Sequence, residues 1–185
     1  MEPAPDGRTQ RERMLAGDLY IADDPELAAE SVRARRLCAA FNAGDGDRAI
    51  LDELLAGFGE GSEIRPPFLC DYGWQIRIGA RTFVNFGLVA LDVAAITIGD
   101  DVQIGPNVQL LTPTHPTDAD LRRAKWEAAE PITIGDNAWL GGGAIVLPGV
   151  TVGEDTVVGA GAVVTRDLPA GVVAVGSPAR VVRTL

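Results

Sequence analysis

The sequence predicts a mainly β protein: a parallel β-helix of hexapeptide repeats, with a small N-terminal helical appendage and one extended loop. Three observations lead there. From Ile134 an aliphatic residue recurs at every sixth position, through Leu140, Val146, Val152, Val158 and Val164. The next residue is usually glycine (Gly135, Gly141, Gly153, Gly159), and the fourth after each aliphatic is small or β-branched (Ala138, Ala144, Val150, Thr156, Ala162). The chain also carries 22 glycines and 12 prolines while being 46% hydrophobic, which suits many short strands joined by many turns. A period of six is neither the 3.6-residue stripe of a helix nor the plain alternation of a hairpin strand. It fits a coil whose flat faces are each one short strand wide, with one inward aliphatic per face and glycine where the chain turns tightly.

Taken in order, the first sixty residues read differently. Asp24 followed by Pro25 is an N-cap with proline at the first helical position, and Leu37 and Phe41 stand at i, i+4 on the helix that follows. Gly44-Asp45-Gly46 ends it, and a second short helix runs through Ile50, Leu51, Leu54 and Leu55 to Gly57. Residues 1–60 are therefore expected to form a helical appendage, and 61–169 the solenoid. A weak stretch of hexads passes through Ile78, Val84 and Ala90, with a two-residue slip before Ile98. The frame then holds at Ile98, Ile104 and Leu110, with Gly99, Gly105, Val102 and Val108 in place. Residues 111–133 lack the pattern without changing the register, so they are expected to leave the solenoid as an excursion loop. Three hexads close one triangular turn; Ile134–Pro169 supplies two turns and the earlier stretches about two more. Gly171, Gly176, Pro178, Val181 and Val182 suit a C-terminal cap over residues 170–185.

The length of 185 residues fits one domain. Sixteen basic against 26 acidic residues give a net charge of −10, a surface that repels phosphate backbones, so no nucleic-acid partner is expected. Arg8, Arg11, Glu12, Arg13 and Asp18 interrupt the first twenty residues, and no apolar stretch there resembles a secretory signal. The uncharged run Asn137–Gly153 contains Pro148 and five glycines and is no membrane span. Cys38 and Cys70 lack the spacing of a zinc site or of a disulfide framework. The expected location is the cytoplasm.

The single histidine, His115, lies in Thr112-Pro113-Thr114-His115-Pro116 at the start of the excursion. Prolines on both sides stiffen the backbone around a side chain suited to general base work near neutral pH. The segments Met14–Tyr20, Phe68-Leu69-Cys70-Asp71-Tyr72-Gly73, Asn85-Phe86, Leu91-Asp92-Val93, Thr114-His115-Pro116, Pro131–Gly141 and Pro148–Gly153 closely resemble the maltose and galactoside O-acetyltransferases. The likeness runs from about Arg13 to Leu185. Cys70–Gly73 and Leu91–Val93 are more similar to the maltose branch.

That resemblance implies a left-handed coil and a homotrimer, with acetyl-CoA in the groove between neighbouring coils and no metal. It also implies acetyl transfer to a hydroxyl of a sugar such as maltose or glucose, by direct attack with His115 as general base. Asn85 matches a substrate-contacting position whose amide donates to developing negative charge. Glu127 is a candidate to hold the second ring nitrogen of His115, and Asp71 and Asp92 are candidate acceptor contacts. Val93 replaces an acidic acceptor contact of the galactoside branch. Trp139, Gly142, Ala160, Thr165, Arg166, Arg180 and Arg183 match the family's acetyl-CoA positions, although at Gly142 the galactoside branch has a serine. The three arginines supply local positive charge in an acidic protein. Relatives of this fold also acetylate galactosides, lipo-oligosaccharides and some antibiotics, which are the alternative acceptors. A carbonic-anhydrase-type metalloenzyme needs three histidines for its zinc and is disfavoured. A silent scaffold would need neither the histidine loop, Asn85 nor the terminal arginines. The arginines of Arg33, Arg35 and Arg36 are at helical spacing and suit either a solvated face or an acceptor frame.

Overall fold

The computed structural model describes residues 7–44 and 46–185, so the stop at Asp45 lies outside it while Gly44 and Gly46 do not. Helix α1 (Gln10–Leu15), missed in the sequence, opens on Thr9 through a capping box with Glu12. Strand β1 (Tyr20–Ile21) leads to α2 (Pro25–Ala43), whose first N–H groups, of Glu26 and Leu27, donate to the Asp24 carboxylate as expected. After α3 (Arg48–Leu54) the coils begin. They run β2 (Gly57–Phe58), β3 (Glu63–Ile64), β4 (Phe68–Cys70); then β5 (Ile76–Ile78), β6 (Phe83–Val84), β7 (Leu88–Leu91); then β8 (Ile96–Ile98), β9 (Gln103–Ile104), β10 (Gln109–Leu111). The excursion holds β11 (Pro113–Thr114), α4 (Ala119–Arg123) and β12 (Trp126–Ala129). The coils resume with β13 (Ile132–Ile134), β14 (Trp139–Leu140), β15 (Ile145–Val146), β16 (Thr151–Val152), β17 (Val157–Val158) and β18 (Val163–Val164), and β19 (Val172–Val175) with β20 (Arg180–Thr184) closes the end.

Strands one coil apart pair in parallel, giving a left-handed β-helix of about six turns. Face 1 stacks β2, β5, β8, β13 and β16; face 2 stacks β3, β6, β9, β14, β17 and β19, with β20 antiparallel at its end; face 3 stacks β4, β7, β10, β15 and β18. Ile98, Ile104, Leu110, Ile134, Leu140, Val146, Val152, Val158 and Val164 are all buried in one core with Ala138, Ala144, Val150 and Ala162. Helices α2 and α3 add Leu37, Phe41, Leu51 and Leu54 to that core. The solenoid begins at Gly57, inside the stretch expected to be helical, and has more turns than the four expected. The first coil was hidden because Phe58, Ile64 and Cys70 alternate with Glu63, Arg65 and two prolines, which dilute the hexad.

The hexad glycines have a different role from tight turning. Gly135 has no positive φ; a Cβ there would stand 2.5 Å from the Glu154 nitrogen of the next coil. The left-handed positions come two residues later and are often not glycine: φ is 58° at Asp101 and 55° at Asn137. Coil stacking demands the glycines, and short polar side chains serve the turns. The slips of two residues before Ile78 and Ile98, and the whole excursion, fall at one edge of the prism, where face 3 passes into face 1. Extra chain is thus concentrated along a single edge, and the candidate site is built there.

Candidate active site

The excursion is a hairpin with structure of its own. β11 pairs antiparallel with β12, Thr114 opposite Ala128, and β12 pairs with β1, Tyr20 opposite Glu127. Together they form a three-stranded sheet in the order β1, β12, β11. Continuing the hairpin register by one residue puts His115 across from Glu127. Tyr20, Glu127 and His115 then stand in one row on one side of the sheet, because residues paired across strands share a face. All three line a cleft of about 450 Å³ with Asp71, Tyr72 and Val93 from the looped edge and Leu27, Ser31 and Arg35 from α2. His115 is exposed at this cleft.

The acids differ in role. Glu127 accepts a hydrogen bond from the Tyr20 hydroxyl at 3.0 Å. That bond goes to Tyr20 rather than to the ring of His115. The Asp71 carboxyl is pushed up to about 6 by burial and by the charge of Glu127. Asp92, expected to touch the acceptor, is fully buried instead. Its Oδ1 accepts from the Asp71 and Tyr72 N–H groups at 3.1 and 2.9 Å, and its Oδ2 from the Gln75 N–H at 3.3 Å. Desolvation pushes it up to about 7 against these donors. Asp92 therefore shapes the turn that presents Asp71; the turn closes over it because the slip of two residues leaves three N–H groups without coil partners. Burial, then Glu127, pushes the Tyr20 phenol well above its usual range, so it remains a donor.

The remaining candidate residues are spread over the prism. Asn85, Gly142 and Ala160 follow β6, β14 and β17 and lie along the edge between faces 2 and 3, away from the histidine cleft. The edge is continuous, since the Asn107 N–H donates to Phe86, that of Gly143 to Pro106 and that of Gly161 to Gly142. Trp139 projects from face 2 and is 54% exposed. Thr165 and Arg166 are exposed after β18, and Arg180 and Arg183 are exposed on β20. Among the described residues none of these three arginines joins an ion pair, so their donors suit the phosphates of an anionic co-substrate. One chain does not bring Asn85 and His115 together.

Tyr20, Ser31 and Leu27 of the cleft were not singled out from the sequence. The i, i+4 spacing of Leu27, Ser31 and Arg35 on a capped helix is a signal that places them on one side, though not which side faces the cleft. Cys38 and Cys70, 32 residues apart, meet with their sulfurs at 3.6 Å as free thiols beside Asp71. Among the described residues no group of acidic, histidine and cysteine side chains could hold a metal ion, and no helix is long and apolar enough to cross a membrane.

Comparison with known proteins agrees with this architecture. Residues 13–59 match the maltose acetyltransferase hexapeptide capping motif, and residues 131–166 match the bacterial transferase hexapeptide with six repeats. Nodulation protein L of Rhizobium meliloti is 53% identical over 94% of this chain and 98% of its own. The crystal structure of a maltose O-acetyltransferase from Clostridium difficile superposes with a TM-score of 0.94 at 41% identity, covering 97% of this chain and 99% of that one. A hexapeptide-repeat acetyltransferase of Vibrio cholerae, complexed with acetyl coenzyme A, gives a TM-score of 0.89 at 39% identity over 96% and 99% of the two chains. With repeats, capping motif, site edge and full-length relatives in agreement, the chain belongs to the family of the maltose and galactoside O-acetyltransferases.

Proposed function

We propose that the protein transfers the acetyl group of acetyl-CoA to a hydroxyl of a sugar such as maltose or glucose, in the cytoplasm, with His115 as general base. One observation carries the reading: the single histidine of the chain lines a 450 Å³ cleft beside Asp71 and Glu127, on a hairpin anchored to a rigid prism. A cleft of this volume, lined by the carboxylates of Asp71 and Glu127, the phenols of Tyr20 and Tyr72 and the apolar Leu27 and Val93, suits a polyol with one apolar face. His115 takes the proton of the acceptor hydroxyl as its oxygen attacks the thioester carbonyl, and returns it to the departing sulfur. Acetyl-CoA, as co-substrate, supplies the activated acyl carbon. The amide of Asn85 donates to the negative charge that develops on the carbonyl oxygen. The phosphates lie toward Arg166, Arg180 and Arg183, and the pantetheine runs past Trp139, Gly142, Ala160 and Thr165.

This assignment needs a second chain. Asn85 is on one edge of the prism and His115 on another, so a centre that uses both lies between subunits. A homotrimer with three equivalent interfaces closes that arrangement.

The test is release of free CoA thiol from acetyl-CoA by the purified protein with maltose or glucose. His115→Ala should abolish release while the circular dichroism spectrum stays unchanged. Full activity in His115→Ala overturns the mechanism. No turnover with maltose or glucose but turnover with a galactoside, lipo-oligosaccharide or antibiotic moves the acceptor class and leaves the chemistry in place.

A further inference from the structure

We propose that Tyr20 is a positioning residue of the transferase centre: through its hydroxyl it fixes the Glu127 carboxylate against His115, so the N-terminal segment completes the catalytic row. The inference rests on the reading of His115 as base. Four observations support it. Tyr20 is 1% exposed, yet it lines the same cleft as Glu127 and His115. Its hydroxyl donates to Glu127 Oε2 at 3.0 Å. It stands directly opposite Glu127 in the β1–β12 pair, and the hairpin register brings His115 to the other side of Glu127. With Oε2 held by Tyr20, Oε1 remains for a second donor, and the neighbour across the hairpin is the imidazole. Glu127 is only half-buried on a two-residue-register hairpin, and a glutamate has three rotatable bonds to wander through. A bond from a buried, rigid phenol removes that freedom at one end.

The groups facing the row are Asp71 and Tyr72 from the looped edge, Asp92 buried beneath them, Arg35 from α2, and Asp24 at its N-cap. Asp71 and Glu127 repel each other, which is the physical reason a donor is needed: without Tyr20 the Glu127 carboxylate is free to swing away from Asp71 and from the histidine. The imidazolium formed when His115 takes a proton is stabilised by a carboxylate held in place.

His115 is the only histidine, so its ring protons give isolated proton NMR signals that are read without any acceptor. Glu127→Gln should displace these signals. Tyr20→Phe, which keeps the ring and deletes the hydroxyl, should displace them in the same direction, and the double variant should match Glu127→Gln alone. In turnover, Tyr20→Phe should lower kcat about tenfold and leave the KM for acetyl-CoA unchanged. Ring signals unmoved in Tyr20→Phe, or a double variant in which the two displacements add, overturn the proposal. Should Tyr20→Phe fold poorly, unmoved signals in Glu127→Gln overturn it equally, because Tyr20 has no route to the ring except Glu127. An active His115→Ala protein would instead remove the reading beneath it, so the two failures are distinguishable.

Discussion

At the scale of the residue, position in the sequence and position in the site part company most clearly at Asp71 and Asp92. Both are acidic residues near coil ends and read alike in the sequence. The fold turns one toward the cleft and buries the other under three backbone N–H groups. Asp92→Ala should therefore cost at least ~2 kcal/mol of stability by orphaning those donors, measured by urea denaturation, rather than act first on the KM for acceptor. The two carboxyls also set a pH dependence. They titrate at about 6 and about 7 in the folded protein, against about 4 for an unfolded aspartate. Between those values the folded state holds more protons, so stability falls as the pH rises from about 4 to 7. The urea midpoint should be lower at about pH 8 than at about pH 5.5, and Asp71→Asn should remove part of the difference. His115 was legible from its solitude and its prolines, whereas Tyr20 was not. Its partner lies 107 residues away and only the β1–β12 pairing joins them.

The elements show which sequence signals survive folding. The hexads from Ile134 onward and the Asp24-Pro25 cap stand where the period and the capping chemistry put them. The first coil and helix α1 do not announce themselves, because one has charged and proline residues between its inward positions and the other is a single short turn and a half. The glycines were legible in place but not in cause. That difference is measurable: Gly135→Ala drives a Cβ into the backbone of the next coil and should cost about 3 kcal/mol or more, as overpacking that no rotamer relieves. Gly143→Ala meets nothing within 4 Å and bears only the strain of its φ of 70°, about 1–2 kcal/mol. Equal losses in thermal denaturation would return the hexad glycines to a turning role. The excursion likewise lacked any repeat to read, yet it is an ordered hairpin because β1 supplies its third strand. Deleting residues through Ile21 should abolish turnover while the β-rich circular dichroism remains.

For the whole molecule, the prism fixes what one chain cannot do. The residues proposed to hold co-substrate and acceptor are distributed over two edges and one face, and Phe86 and Trp139 remain half-exposed. No sequence period reveals which edge meets which, since that depends on the stagger of strands across the stacked coils. Light scattering should give a mass three times the 19.4 kDa chain. Co-expressing inactive His115→Ala with inactive Asn85→Ala should restore about a quarter of wild-type activity, the share of random interfaces that hold both native groups. No recovery would place both residues of each centre on one chain. The most direct measurement is the acceptor-dependent release of CoA thiol from acetyl-CoA. The wild-type protein should release thiol with maltose or glucose, and folded His115→Ala should release none. Release undiminished in His115→Ala would contradict the role of His115 as general base.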